Sequence, residues 1–422
     1  QAIVKRWDTL MSEKQISMTY LLSERLISVE WRERFIRFSL IFFCFALWQK
    51  WSFFYAFFLL SGAWILDGGL RNFKQLIREP LVQGILVFCS VVAIGLLWGD
   101  YIETNQNKWK KYFILLTFIP FFALLNKDSA RFPWVSNTFL IVYGSVLLVG
   151  AYQHFVQGLI GVPALDISYL SFSAILGVGV ITTIFLAQVS QTILQNMIWW
   201  FISALMLLLQ FNQGARTVLF ATMVAAIILI FFMGQKKRKM RLIGISSFIG
   251  LALLLMATNS VMQERLSLVS HDWAAIKLGN YETSLGYRLA IWDIGLNGIR
   301  EQLWIGHGTG NPEVYFEKET QTYKDGIYRN LPTFQKTSHY HNDWIEVGMH
   351  WGGLGIMALA FLIFSWLRIF KENQLANLGI AFVSYIVLAG MTDTFLLYNR
   401  VPPILLVITA LLVCWQRSRM NN

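Results

Sequence analysis

Long apolar runs separated by short polar stretches set the rhythm of this chain. A helix of about 20 apolar residues crosses a hydrocarbon core of about 30 Å. Hydropathy places about twelve such segments, near 34–48, 51–67, 81–98, 111–126, 135–157, 168–188, 194–211, 217–234, 242–259, 346–369, 375–392 and 401–416. In lipid every backbone polar group must be satisfied within the segment, so these runs are expected to be helices. The alternating pattern of an outer-membrane barrel is absent. The predicted fold class is therefore all-α and polytopic. Trp48, Trp51, Trp109, Trp199 and Trp200 fall at segment ends, as interfacial aromatic belts do.

The polar stretches then predict an orientation. Basic residues gather in the N-terminal segment (Lys5, Arg6, Lys14, Arg25, Arg32, Arg34), after the second span (Arg71, Lys74, Arg78) and after the eighth (236–241). They recur after the tenth (Arg368, Lys371) and at the C-terminus (Arg417, Arg419). With twelve spans all of these fall on one side, so both termini are expected in the cytoplasm. Lys108, Lys110 and Lys111 fall on the other side, against the rule. The expected regions are 1–33, a cytoplasmic segment; 34–259, spans one to nine; 260–345, a non-cytoplasmic loop domain; 346–416, spans ten to twelve; and 417–422, a cytoplasmic tail. Within the loop, Leu289, Trp292, Leu296, Ile299 and Leu303 recur at helical spacing and predict an amphipathic helix over 286–303. A glycine-rich turn, 305–312, stops it. Residues 313–338 read as a loop or short helices.

Composition agrees: 56% of residues are hydrophobic and only 14% charged, too apolar for a soluble chain of 422 residues. The net charge of +11 reflects cations at the membrane surface rather than a nucleic-acid footprint. Cys44, Cys89 and Cys414 lie inside apolar segments, so no disulfide framework is expected. No cleavable signal peptide is expected, because the first apolar run is a full span rather than a short h-region.

Chemistry concentrates on the non-cytoplasmic side. Arg216 opens the eighth span, Arg288 sits on the loop helix, and His339 and His341 precede the tenth span. Two arginine forks suit phosphate oxygens, and a neutral histidine can take a proton from a hydroxyl. Each residue alone has a plainer reading: Arg216 as a headgroup anchor, Arg288 as a solvated charge, a loop histidine as surface chemistry. His339, His341 and Asp343 also spell H-x-H-x-D, a metallo-hydrolase-like run. It leads into a membrane helix, and the histidine expected after Asp343 is Trp344, so no metal is expected. Gly306 to Gly310 lacks the Walker pattern and reads as a turn, and His307 and His350 read as structural.

Three motifs resemble the O-antigen ligase family of bacterial inner-membrane proteins, which includes O-antigen polymerases and pilin-type O-oligosaccharyltransferases. His341-Asn342, nine residues, then Gly352-x-x-Gly355 matches the family's His-Asn pattern. Arg288-x-x-x-Trp292 followed by Gly306-x-Gly308 resembles its arginine helix and turn, and Gly214-Ala215-Arg216 resembles its span opening. The chain departs at Phe220, where some ligases carry leucine. The resemblance implies a GT-C-like glycosyltransferase acting at the periplasmic face of the inner membrane. The implied donor is undecaprenyl-diphosphate-linked O-antigen, and the implied acceptor is a sugar hydroxyl of the lipid A core. Transfer is implied to be inverting and metal-independent, with no cofactor. His341 is then the base, with His339 close enough to exchange roles with it, and Arg216 and Arg288 hold the diphosphate. A polymerase or a protein transferase shares the chemistry and differs in acceptor. A transporter also fits about twelve spans, but predicts two similar halves that this asymmetric chain lacks.

Overall fold

A computed structural model describes residues 29–49, 51–99, 108–232, 260–310, 312–335, 339–398 and 400–421, with isolated positions 246, 250 and 257. The described chain is helical, and its only β-feature is an isolated bridge between Val162 and Ile167. Leaving aside a single turn at Phe73–Leu76, the first five helices are α1 (Val29–Ala46), α2 (Ser52–Leu66), α3 (Pro80–Ile94), α4 (Phe118–Lys127) and α5 (Phe132–Phe155). A 3₁₀ segment, Lys108–Thr117, runs directly into α4. Next come α6 (Tyr169–Val189), α7 (Ile193–Phe211) and α8 (Arg216–Phe231). The loop region contributes α9 (Ser260–Lys277), α10 (Ser284–Glu301) and α11 (Pro312–Thr322), and the chain closes with α12 (Asp343–Glu372), α13 (Ala376–Gly390) and α14 (Val401–Asn421).

Among the described residues, six helices are long and apolar enough to cross a membrane: Pro80–Leu97, Ser129–Phe155, Tyr169–Val189, Ile193–Phe211, Asp343–Glu372 and Val401–Met420. Ser52–Leu66, Arg216–Phe231 and Ala376–Gly390 are apolar but shorter. Eleven of the twelve hydropathy segments overlie described helical structure, and the ninth, 242–259, lies almost wholly outside the described residues, as do the basic run 236–241 and most of the N-terminal segment. Large apolar side chains such as Phe54, Phe58, Leu148 and Phe201 are exposed on the bundle's outside. A surface so apolar over so many helices suits lipid rather than water.

Small residues bring the bundle's helices together. A Cβ on Gly84 of α3 would come 2.7 Å from the Ser365 Cβ of α12. One on Gly177 of α6 would meet Thr222 Oγ1 of α8 at 2.3 Å and Tyr385 Oη of α13 at 2.7 Å. Such close approach is how helices pack where no hydrophobic force separates lipid from side chain.

The predicted amphipathic helix is α10, begun by Thr283, whose side chain accepts from Gly286 N at 3.0 Å. Its buried face is not the expected stripe, since Leu296 and Leu303 are exposed: Tyr287, Ala290, Ile291 and Ile294 join Phe316, Tyr340, Ile345 and Met349 in a small core separate from that of the bundle. The glycine-rich turn docks on two bundle helices. Thr309 Oγ1 donates to Val92 O at 3.1 Å and accepts from Trp351 Nε1 at 2.8 Å. α12 itself is broken at Gly352, whose φ of 56° and ψ of −147° only glycine adopts readily. Gly353 N and Leu354 N donate to Leu303 O (2.7 Å) and Trp304 O (3.1 Å) of the loop instead of continuing the helix ladder.

Candidate functional site

The His-Asn pair sits at the start of α12. Asn342 is its N-cap: Oδ1 accepts from Trp344 N (2.9 Å) and Ile345 N (3.2 Å), satisfying amides a helix start leaves without partners. Its Nδ2 donates to Met391 O at 2.8 Å, just past the end of α13. One asparagine thereby ties the histidine loop to the turn that carries Asp393.

That turn supplies what the sequence reading missed. Asp393 is buried, and its Oδ1 lies 3.0 Å from His341 Nδ1 and 3.5 Å from His339 Nε2. Thr394 N donates to the same oxygen at 2.8 Å, and Tyr398 Oη donates to Oδ2 at 2.9 Å. The imidazole centroids of His339 and His341 are 4.1 Å apart. Lys108 Nζ lies 3.3 Å from His339 Nδ1. The lysine breaking the positive-inside pattern therefore stands beside the histidine pair.

Burial raises the Asp393 carboxyl, but hydrogen bonds from the two imidazoles, with their charges, outweigh it and hold the group ionised, far below its ordinary range. His341 moves down from the ordinary histidine value. Burial is the main cause, its contact with Asp393 opposes it, and the charges of His339 and Arg288 add to it. An ionised carboxylate can only accept, so a neutral His341 donates from Nδ1 and keeps its basic lone pair on Nε2. The pair has the logic of a base held in one tautomer by a buried carboxylate.

The backbone of His341 is left-handed, with φ of 48°, which is strained for a residue with a side chain. Several contacts hold it there. Trp292 Nε1 donates to Tyr340 O (2.9 Å) and His341 O (3.3 Å). Tyr340 N donates to Glu346 Oε2 at 2.7 Å, and Tyr340 Oη to Pro312 O at 2.6 Å. This gives the Arg-x-x-x-Trp spacing a physical meaning. Residues four apart share a helix face, so Trp292 grips the histidine loop while Arg288, one turn earlier, lies near enough to act electrostatically on both His341 and Tyr398.

Arg216 begins α8, after Gly214 at a φ of 70°. Six residues on, Thr222 Oγ1 accepts from Gln210 Nε2 at 2.8 Å, and that amide also donates to Ser173 O at 3.0 Å. Tyr385 Oη donates to the adjacent carbonyl, Ala174 O, at 2.9 Å. Gln188 Nε2 of α6 donates to Leu229 O of α8 at 3.1 Å, so the two helices run parallel, and Arg216, about 9 Å before Thr222 at 1.5 Å per residue, lies toward the end of α6 where Asp166 O accepts from Arg400. His339, His341 and Arg288 converge on Asp393, and Arg216 reaches the same end from a different helix.

The H-x-H-x-D run does not gather as a unit. Asp343 accepts from Leu396 N at 3.3 Å and lies against Gly390, where a Cβ would come 2.5 Å from Oδ2. The third member of the trio is Asp393: one ligand atom each from His339, His341 and Asp393 lies within 4.8 Å of the others, a set that could hold a metal ion. His307 and His350 make framework contacts, with Gly298 O 3.0 Å from His307 Nε2 and Gly310 N donating to His350 Nδ1 at 3.2 Å.

The family model for O-antigen ligase matches residues 201–360, the stretch containing Arg216, Arg288, His339 and His341. The O-antigen ligase of Escherichia coli (strain K12) is 23% identical over 381 residues, spanning 85% of each chain. Family model, relative and helical membrane architecture all show a similarity to the O-antigen ligase family.

Proposed function

We propose that this protein transfers O-antigen polysaccharide from undecaprenyl diphosphate to a sugar hydroxyl of the lipid A core, at the periplasmic face of the bacterial inner membrane. The observation that carries the reading is the hydrogen-bond geometry of His341 Nδ1 with buried Asp393, 3.0 Å apart. The acceptor hydroxyl attacks the anomeric carbon of the donor as His341 Nε2 takes its proton. The bond from that carbon to the diphosphate oxygen breaks, and undecaprenyl diphosphate leaves with the electron pair. Attack opposite the leaving group inverts the centre. Arg288 and Arg216 serve the charge that grows on the diphosphate, a role for which a planar, permanently charged fork is suited. The imidazolium then returns its proton to water. A GT-C-like body of about twelve spans, both termini cytoplasmic and residues 260–345 periplasmic completes the proposal.

The test uses the full chain in membranes of a cell lacking its own copy, reading polymer attached to lipid A core. His341→Ala is expected to lower transfer by about 10²- to 10⁴-fold with normal membrane insertion. Arg288→Lys loses activity too, because an ammonium cannot replace the fork. Near-normal transfer by His341→Ala would sink the base assignment, and loss in His339→Ala alone would move that role one imidazole over. Polymer lost from a protein, or failure to elongate it, would reassign the acceptor within the same family. Loss on chelation, restored by a divalent ion, would recast the trio as a metal site.

A further inference from the structure

The sequence sets Lys108, Lys110 and Lys111 against the charge bias of the membrane, and the reaction above employs none of them. Lys111 and Arg400 line a cavity of about 170 Å³ together with Leu47, Phe53, Asp166 and Tyr398. Lys111 Nζ donates to Leu397 O at 3.1 Å, and Arg400 Nη1 donates to Asp166 O at 3.1 Å. A backbone carbonyl thus fixes the position of each cationic head, and the Asp166 charge acts on Arg400 as well. Among the described residues of the wall, Asp166 is the one anion, against two cations. Arg400 is held in the left-handed region, φ 68°, a conformation that surrounding contacts must maintain.

Tyr398 is the partition between this cavity and the candidate active site. Its hydroxyl donates to Asp393 Oδ2 at 2.9 Å, and Asp393 Oδ1 lies 3.0 Å from His341 Nδ1. The cavity is thus two hydrogen bonds from the proposed base. Sites for whole small molecules commonly run to about 300–1,000 Å³. This smaller space, lined by two cations together with Leu47 and Phe53, matches a single phosphate group and the first atoms of an attached alkyl chain.

We propose that this cavity is a phosphate subsite for a lipid substrate, with Lys111 and Arg400 as its cations, separate from the Arg216 and Arg288 pair. The proposal rests on the reading that both substrates are lipids. The shared ligand chemistry is a phosphate ester on a hydrophobic anchor, carried by the donor or by a phosphorylated acceptor.

The experiment uses the full chain in nanodiscs of zwitterionic lipid. Synthetic undecaprenyl-diphosphate glycan and purified lipid A core are titrated in turn, each with the other saturating. Lys111→Ala and Arg400→Gln are expected to raise KM for one lipid by about fivefold or more with kcat nearly unchanged, and Lys111→Arg to restore it. A shift in donor KM assigns the donor phosphate, and a shift in acceptor KM assigns the acceptor. Two unchanged KM values, or a fall in kcat alone, overturn the subsite. Direct binding of the same two lipids to His341→Ala, with and without Lys111→Ala, separates this claim from the base assignment. Binding kept by the single variant and lost by the double supports the subsite even if the base lies elsewhere, and equal binding by both overturns it.

Discussion

The two ends of the bundle both bury charge, and they do it with different chemistry. α14 joins them: it starts at Val401 beside the histidine cluster and carries Arg417 sixteen residues on, about 24 Å away. At that far end Arg417 bonds Glu79 through both terminal nitrogens at 2.9 Å, and Asn373 Oδ1 at 2.7 Å. Nearby, buried Arg131 donates to Glu33 Oε2 (2.7 Å), Asp67 Oδ2 (2.9 Å) and Leu124 O (2.9 Å), joining α1, the end of α2 and α4. These are guanidinium–carboxylate pairs, which hold one charge state across the physiological range. At the near end the Asp393 carboxylate faces two imidazoles, with Asp343 and Glu346 buried close by and Lys108 and Arg288 beyond the imidazoles. Imidazoles exchange protons near neutrality. One end is therefore a clasp, and the other is poised to move a proton.

The sharpest way to break this contrast is at Asp393. Asp393→Asn keeps the shape and removes the charge, so transfer is expected to fall by about 10²-fold or more while thermal unfolding in detergent barely moves. A variant that unfolds but transfers normally when folded would make this end a clasp as well. The converse test is Arg131→Ala. It takes the buried guanidinium from between Glu33 and Asp67, which keep the more exposed Arg37 and Lys127, and breaking a buried pair costs up to about 3–5 kcal/mol. Thermal stability and monodispersity are expected to drop while kcat of the surviving fraction holds. A kcat loss as large as that of Asp393→Asn would erase the distinction.

The pH profile gives a finer test. His341 acts as the neutral form, and its folded value lies below the ordinary histidine value of about 6.5. Neutral imidazole therefore persists to more acid pH, so transfer is expected to be flat through pH 7 and to decline only below the ordinary value. His339→Ala removes a like charge that lowers His341, so the acid limb is expected to shift toward higher pH, with little change at pH 8. A limb unmoved in that variant would uncouple the two imidazoles. The smallest effect is expected from Glu346→Gln, which keeps an acceptor for Tyr340 N and so lowers kcat only a few-fold. A loss equal to that of His341→Ala would give Glu346 a part in the chemistry itself.

Much of the helical framework was readable because apolar runs report burial in lipid directly. The segment near 111–126 shows the limit. Its first half is 3₁₀ and only its second half α, a difference that composition does not encode. His341 and Arg288 were readable because each lies in a compact local motif. Asp393 was not, since its partner lies 52 residues away and the gap is closed by tertiary contacts such as the Asn342–Met391 and Asp343–Leu396 bonds. The lone carboxylate beside a span end was the available signal. Asp343 drew attention by its spacing from the histidines, yet a helix starting at that residue turns its carboxylate toward the Leu396 amide. Lys108 was read for topology because a sequence shows a cation's side of the membrane more readily than its neighbours.

The break at Gly352 carries a consequence for assembly. A spanning helix forced to change direction exposes amides that lipid cannot serve, and here carbonyls from Leu303 and Trp304 serve them. Those carbonyls belong to the segment translated just before α12. The bend is thus a joint made by two parts of the chain, and Gly352 without its loop partners has every reason to run straight. Lengthening or cutting the loop near 303–304 is then an injury to the membrane helix itself, felt first in how the chain settles into the bilayer.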